Sequence, residues 1–172
     1  MNTIKITSGK LRGRALNTPG GETHPMGSRE KLALFNMIAG FLPDTYVLDA
    51  YAGSGALGIE ALSRGAKEAV FIEKNRAACR VIQGNLVSLG LKDTVFCGTV
   101  ENFCATGERF DIIIADPPYD DFDLEEVKML PTLLNPEGTL VLSHPGEAPE
   151  IPEMELFKSH QYAAAHISLY KH

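Results

Sequence analysis

The chain has 172 residues, 44% of them hydrophobic and 22% charged, as expected of one soluble globular domain. No apolar run reaches the roughly 18 residues that a bilayer-spanning helix needs, and the opening MNTIKITSGKLRGR lacks the apolar stretch of a secretory signal, so a cytoplasmic protein is expected. The net charge of −6 is opposite to that of most nucleic-acid binders, but it is unevenly spread: Lys5, Lys10, Arg12 and Arg14 lie in an opening segment without an acid, and the stretch from Asp116 to Glu155 is acidic, with Lys128 its only base.

In chain order, residues 4–7 and 11–16 read as two short strands of a hairpin around Gly9 and Lys10. The Pro/Gly-rich NTPGGETHPMG that follows reads as loop. Ser28 is placed to cap a helix in which Leu32, Leu34, Phe35, Ile38 and Phe41 recur at helical spacing, with Pro43 and Asp44 ending it. Strands and helices then alternate: TYVLDA (strand), ALGIEALSRG (helix, closed by Gly65), EAVFIE (strand), NRAACRVIQGNLVSLGL (helix, closed near Gly90), DTVFCG (strand), VENFCAT (short helix), FDIIIAD (strand), residues 122–134 (helix) and GTLVLSH (strand). EMELFKSH and AAHISLYK close the chain as strands. Near-continuous apolar strands separated by helices predict an α/β fold with a mostly parallel sheet covered on both faces. The short link between the last two strands predicts an antiparallel C-terminal hairpin. Cys79, Cys97 and Cys104 are odd in number and lack metal-ligand spacing, so reduced thiols in or near the core, and no metal site, are expected.

The first of the alternating strands runs into LDAYAGSGALGIEAL, where Gly53, Gly55 and Gly58 have the G-x-G-x-x-G spacing of a loop that approaches a nucleotide closely. A dinucleotide would place its pyrophosphate there, but Asp49, four residues before Gly53, would repel it and attract a cation instead. S-adenosylmethionine carries a sulfonium and an ammonium and no phosphate. Glu73, twenty residues after Gly53, stands where an acid accepts hydrogen bonds from ribose hydroxyls.

FDIIIADPPYDD is the most specific segment. Its strand delivers Asp116, Pro117, Pro118 and Tyr119 to the ligand-binding edge, and the two prolines stiffen the backbone and remove two N–H donors. The Asp116 carboxylate and the Pro117 carbonyl form an acceptor pair suited to the two hydrogens of an exocyclic amine. Accepting those hydrogens localises the nitrogen lone pair and grows stronger as positive charge develops. Tyr119 is placed to stack on a planar base that has been taken out of its helix.

These segments resemble the RsmD-type methyltransferases, which methylate N2 of a guanine in bacterial small-subunit ribosomal RNA. The resemblance is carried by LDAYAGSGALGIEALSRGA, Glu73 and DIIIADPPY, and by the opening ITSGKLRGRAL, SREKLALFNMI with its Phe35-Asn36 pair, and the closing HQYAAAHISLYKH. Two segments depart from the family pattern: Met26 and Ser28 replace a Thr and an Asp before the first helix, and Thr99 stands where an acid or amide is common. The resemblance implies a Rossmann-like S-adenosylmethionine-dependent methyltransferase with a seven-stranded sheet. Residues 1–20 would form an RNA-binding β-hairpin extension and residues 21–172 the methyltransferase domain.

It implies that Asp49, Tyr51, Ala52, Gly53, Ser54, Gly55, Gly58, Glu73, Lys74, Thr99, Val100 and Asp116 line the cofactor. Asp116, Pro117, Pro118 and Tyr119 would hold the target amine, and Lys10, Arg12, Arg14 and Arg29 would meet RNA phosphates. The expected substrate is 16S ribosomal RNA, naked or in a partly assembled small subunit, and the expected state is a monomer. The rival readings are a DNA adenine-N6 methyltransferase, which the short chain disfavours, an NAD-dependent oxidoreductase, and a non-catalytic RNA-binding or assembly factor.

Overall fold

A computed structural model describes residues 2–21, 25–162 and 165–172. Residue 1, residues 22–24 of the expected loop, residue 163 between the last two expected strands and residue 164, the first of the expected closing strand, lie outside the described residues.

Two short antiparallel strands open the chain, β1 (Thr3–Lys5) and β2 (Ala15–Asn17). They are shorter than the expected 4–7 and 11–16, because the residues between them bond elsewhere: Lys10 N–H donates to Ser63 O at 2.9 Å and Leu11 N–H to Ser63 Oγ at 2.9 Å. Helix α1 (Ser28–Ile38) follows, buried through Lys31, Leu34, Phe35 and Ile38. Ser28 does not cap it: the cap position is Gly27, whose extended backbone leads into the helix without a side-chain bond, and Ser28 is the first helical residue. Leu32 and Phe41, read as part of the apolar stripe, are exposed.

The alternating region consists of β3 (Tyr46–Asp49), α2 (Ala56–Ser63), β4 (Glu68–Glu73), α3 (Arg76–Ser88), β5 (Thr94–Cys97), α4 (Val100–Cys104), β6 (Phe110–Ala115), α5 (Leu124–Val127), β7 (Leu134–His144), β8 (Glu155–Tyr162) and β9 (Ala165–Lys171). The main sheet has seven strands in the order β5-β4-β3-β6-β7-β9-β8. The five strands β5, β4, β3, β6 and β7 run parallel; β9 pairs antiparallel with β7 and β8 antiparallel with β9, the C-terminal hairpin that the sequence predicts. The strand order reverses between β3 and β6, so a crevice opens beyond their carboxyl ends. Two apolar cores cover the sheet, one beneath α1, α2 and α3 and one beneath α4 and α5. Among the described residues no helix is long and apolar enough to cross a membrane.

The expected helix over 122–134 breaks in two. α5 ends at Val127, and a 3-10 turn takes over at Leu130–Leu133. Pro131 is the cause: it has no N–H for an α-helical bond, and its ring clashes with the carbonyl four residues back. β7 starts at Leu134, earlier than expected, and absorbs the Asn135-Pro136 segment as a register shift against β6. β8 begins and ends two residues later than the expected EMELFKSH. Cys79 and Cys97 are not separate thiols but form a disulfide, with Cα atoms 6.0 Å apart. β5 pairs beside β4 with Cys97 opposite Glu73, and α3 starts directly after β4, so the two cysteines meet although 18 residues separate them. Cys104 is free and half-buried.

The N-terminal hairpin shares the main core: Ile6 and Leu16 are buried with Leu34, Phe35 and Ile59. Its charged anchor is Glu60, fully buried in α2, whose other residues are apolar except Ser63. The Glu60 carboxylate accepts from Thr7 N–H (2.9 Å), Thr7 Oγ1 (2.8 Å) and Ser8 N–H (3.2 Å), and pairs with Lys31 Nζ at 3.3 Å and Arg64 Nε at 3.1 Å. Burial pushes its pKa up, but the Thr7 bonds, Arg64 and Lys31 outweigh that and hold it below the usual value of 4.5. A carboxylate with a depressed folded pKa contributes stability above its unfolded pKa and loses it as the pH falls through the folded one. Glu60→Ala strips these donors of their acceptor and should cost about 3–5 kcal/mol in urea unfolding at neutral pH. The gap to wild type should narrow as the pH is taken below 4.5.

Candidate active site

Between β3 and α2 the chain reverses direction within a few residues, with left-handed backbone at Gly53 (φ 56°) and Gly55 (φ 82°). Gly55 is the N-cap of α2 and has no side chain to satisfy the first turn. Asp49 takes over that task from the end of β3: its Oδ2 accepts Gly58 N–H at 2.9 Å. Gly58 itself allows the approach, since a Cβ there would run into the Phe71 ring and crowd the Asp49 Cβ. On the other side Glu73 Oε2 accepts Gly53 N–H at 2.8 Å, and Glu73 Oε1 accepts Asn75 N–H at 2.8 Å. Asn85 of α3 braces the loop from behind, donating from Nδ2 to Ser54 O (3.0 Å) and Asn17 O (2.9 Å).

The loop therefore closes around three carboxylates. Asp49 is 1% exposed, and its Oδ1 is buried without a partner. Burial raises its pKa to about 7; the Gly58 bond opposes the rise, and the nearby charges of Asp116 and Glu73 add to it. A site with an orphaned buried carboxylate oxygen and two further acids fits a cationic ligand group and repels a phosphate. The ammonium and sulfonium of S-adenosylmethionine meet that requirement. Tyr51 also buries its hydroxyl without a hydrogen bond; burial, Glu126 and Asp123 all raise its pKa.

Beyond β6 the chain leaves Asp116 half-buried, Pro117 buried, Pro118 exposed and Tyr119 half-buried at the start of a 3-10 turn. Asp116 has its pKa raised to about 6 by burial, while the neighbouring Ser143 hydroxyl opposes the rise. The Tyr119 hydroxyl lies 2.5 Å from Ser143 Oγ. Burial raises its pKa, the Ser143 bond works against this, and the charges of Asp116 and Glu30 add to the rise.

Most residues expected in the site converge at the carboxyl ends of β3, β4 and β6. Ala52 and Ser54 are buried in the loop, and Ala52 N–H is held by Ile72 O at 2.9 Å. Thr99 caps α4 by accepting Asn102 N–H at 3.2 Å, and Val100 is buried beneath it. Lys74 is exposed and 3.5 Å from Asp121, which ties the end of β4 loosely to the segment after Tyr119. The basic candidates do not gather at the site. Lys10 and Arg12 stand exposed near Ser63, at the far end of α2 from the loop, and Arg14 donates to Ser88 O at 3.0 Å. Arg29 is exposed in the first turn of α1, next in sequence to Glu30, whose charge acts on Tyr119.

Three residues escape the sequence reading: Glu60, Asn85 and Ser143, all buried. Each is a polar residue on an apolar face. Asn85 continues the buried stripe of Ala78, Ile82 and Leu86, and Ser143 lies within a run of buried strand residues. That mismatch is the only sequence signal for them.

The family described as Conserved hypothetical protein 95 matches residues 4–171. Among curated proteins, YlbH of Bacillus subtilis is 32% identical over 185 aligned positions that cover 98% of each chain. Ribosomal RNA small subunit methyltransferase D of Escherichia coli is 38% identical over 126 residues, covering 72% of this chain and 64% of that protein. The solved structure of Escherichia coli yhhF superposes with a TM-score of 0.89 at 32% identity, covering 99% of this chain and 98% of that one. With the glycine loop, the cation-suited carboxylates and the Asp-Pro-Pro-Tyr segment on one sheet edge, the chain belongs to this family, the RsmD-type S-adenosylmethionine-dependent methyltransferases.

Proposed function

We propose that the chain methylates the exocyclic N2 amine of a guanine in small-subunit ribosomal RNA. The observation that carries the reading is the rigid Asp116-Pro117-Pro118-Tyr119 segment beside a buried, cation-suited Asp49. Relatives from Escherichia coli and Haemophilus influenzae named ribosomal RNA small subunit methyltransferase D support the substrate class. S-adenosylmethionine supplies an electrophilic methyl group on its sulfonium.

Asp49, Tyr51, the glycine loop, Glu73 and the Thr99-Val100 pair hold the cofactor in this reading, with Asp49 Oδ1 facing its cationic part. Asp116 and the Pro117 carbonyl accept the two amine hydrogens, and Tyr119 stacks on the extruded base. The nitrogen must lose one proton on methylation. Asp116, raised to about 6 and so ionised at neutral pH, is the group placed to take it. Exposed Lys10, Arg12, Arg14 and Arg29 meet phosphates away from the reacting base. A partly assembled subunit suits the acidic 116–155 stretch, because bound basic proteins would offset its charge. The protein acts as a cytoplasmic monomer in this reading.

Two measurements test the site. Asp49 binds a cation only when ionised, and in the free protein it is protonated below about pH 7. Cofactor affinity by calorimetry should therefore weaken as the pH falls from 8 to 6, approaching tenfold per unit below 7. Asp49→Asn should bind weakly at every pH. Wild-type affinity that stays flat across this range would remove Asp49 from the cation's neighbourhood. In the second measurement, labelled methyl transfer to small-subunit rRNA from cells lacking this gene is followed by nucleoside analysis. Label in N2-methylguanosine, reduced at least a hundredfold by Asp116→Ala with cofactor binding intact, is the expected result. Label in another nucleoside would refute the guanine assignment, and full activity of the variant would refute the role of Asp116.

A further inference from the structure

Ser143 is the penultimate residue of β7, two residues before Pro145, and is 2% exposed. β6 and β7 pair in parallel with Ala115 opposite Leu142, so the next step of the ladder sets Asp116 beside Ser143 on the same face. Ser143 Oγ is also 2.5 Å from the Tyr119 hydroxyl, which reaches back from the 3-10 turn after the two prolines. One hydroxyl thus stands between the two functional groups of the Asp-Pro-Pro-Tyr segment. We propose that Ser143 is a positioning residue for methyl transfer, orienting the Asp116 carboxylate and the Tyr119 ring at once.

The proton order follows from the inventory of donors. An ionised carboxylate only accepts, so on this proposal Ser143 turns its single proton toward Asp116, and Tyr119 donates to Ser143 Oγ. This ordered chain, Tyr119 to Ser143 to Asp116, has two effects. It selects one rotamer of Asp116, leaving its remaining lone pairs for the amine. It also anchors the free end of Tyr119, so the ring presents a fixed stacking face before any base arrives. Both reduce what must be ordered when substrate binds. A hydroxyl proton turned toward Asp116 favours its ionised form, which keeps it competent as an acceptor at lower pH. The other titratable groups facing this chain are Asp49 at the end of β3, which repels charge on Asp116, and Glu30 of α1, on the Tyr119 side. The neighbouring His144 points to the opposite face of the sheet, where its Nε2 meets Ser168 Oγ at 2.7 Å, and takes no part.

The inference rests on the proposed role of Asp116, so the test runs Asp116→Ala beside Ser143→Ala, Ser143→Thr, Tyr119→Phe and the double variant Ser143→Ala/Tyr119→Phe. The full-length protein is assayed for S-adenosylmethionine binding, and for kcat, KM and the pH profile of transfer to small-subunit rRNA from cells lacking this gene. Ser143→Ala should lower kcat by roughly tenfold or more, leave cofactor affinity within about twofold, and move the acid limb of kcat to higher pH. Ser143→Thr, which keeps the hydroxyl, should recover most of the rate. Tyr119→Phe should also lower kcat, and the double variant should be little worse than Ser143→Ala, because both remove links of one chain.

Wild-type kcat and pH profile in Ser143→Ala, or losses that multiply in the double variant, would overturn the proposal. If Ser143→Ala does not fold, Tyr119→Phe decides: wild-type kcat and pH profile there overturn it, and a lowered kcat supports it. Activity retained by Asp116→Ala brings down both this inference and the reading of the site. An inactive Asp116→Ala beside a normal Ser143→Ala brings down only this one.

Discussion

The Asp49 carboxylate sits where water does not reach, and two different demands converge on it. One oxygen satisfies an N–H in the first turn of α2, because the residue at the cap position is a glycine with no side chain of its own. The other oxygen is left without a partner and faces a region already negative from Glu73 and Asp116. A buried carboxylate in that state is uncomfortable as an anion, which is why its pKa rises to about 7. The discomfort is relieved by a cationic ligand. The same contact that shapes the glycine loop thus gives the loop its preference for a cofactor that carries positive charge and no phosphate.

Around that carboxylate the structure is braced by polar groups placed on otherwise apolar surfaces. Asn85 links α3, β2 and the glycine loop through three hydrogen bonds, so the loop is backed by the N-terminal hairpin as well as by the sheet. Glu60 and Ser63 fasten the hairpin tip along α2, and Gly9 lies too close to Ser63 for any side chain. This packing leaves Lys10 and Arg12 facing outward at one end of α2 while the crevice opens at the other. At the rise of 1.5 Å per residue, α2 separates them by about 12 Å. An RNA that touches both must therefore present phosphates well away from the reacting base.

The central βαβ pattern was open to reading because each strand and helix there announces itself locally, by apolar runs and by the glycines at fixed offsets. The parallel strands, the antiparallel ending and the placement of Asp49, Glu73 and Asp116 at strand ends follow from that pattern, whereas the strand order that brings the three together is a tertiary result. Local exceptions were harder. Pro131 splits a segment whose apolar spacing alone suggests one helix, and Gly27 rather than Ser28 opens α1, because the chain enters already extended there. The Cys79–Cys97 bridge could not be read from spacing, since it depends on β5 lying beside β4.

By itself the sequence determined the α/β class, the glycine loop with its attendant acids, and the Asp-Pro-Pro-Tyr segment. These features depend on residues close in the chain, where backbone sterics and periodicity act directly. Only the tertiary structure decided which buried polar groups serve the site. Ser143 meets Tyr119 across 24 positions, Asn85 reaches Asn17 across 68, and Glu60 reaches Thr7 across 53. A hydroxyl, amide or carboxylate on an apolar face says that it needs a partner, because leaving it bare in the interior costs free energy. Which partner it finds is set by strand register and helix packing, and neither is written in the residues around it.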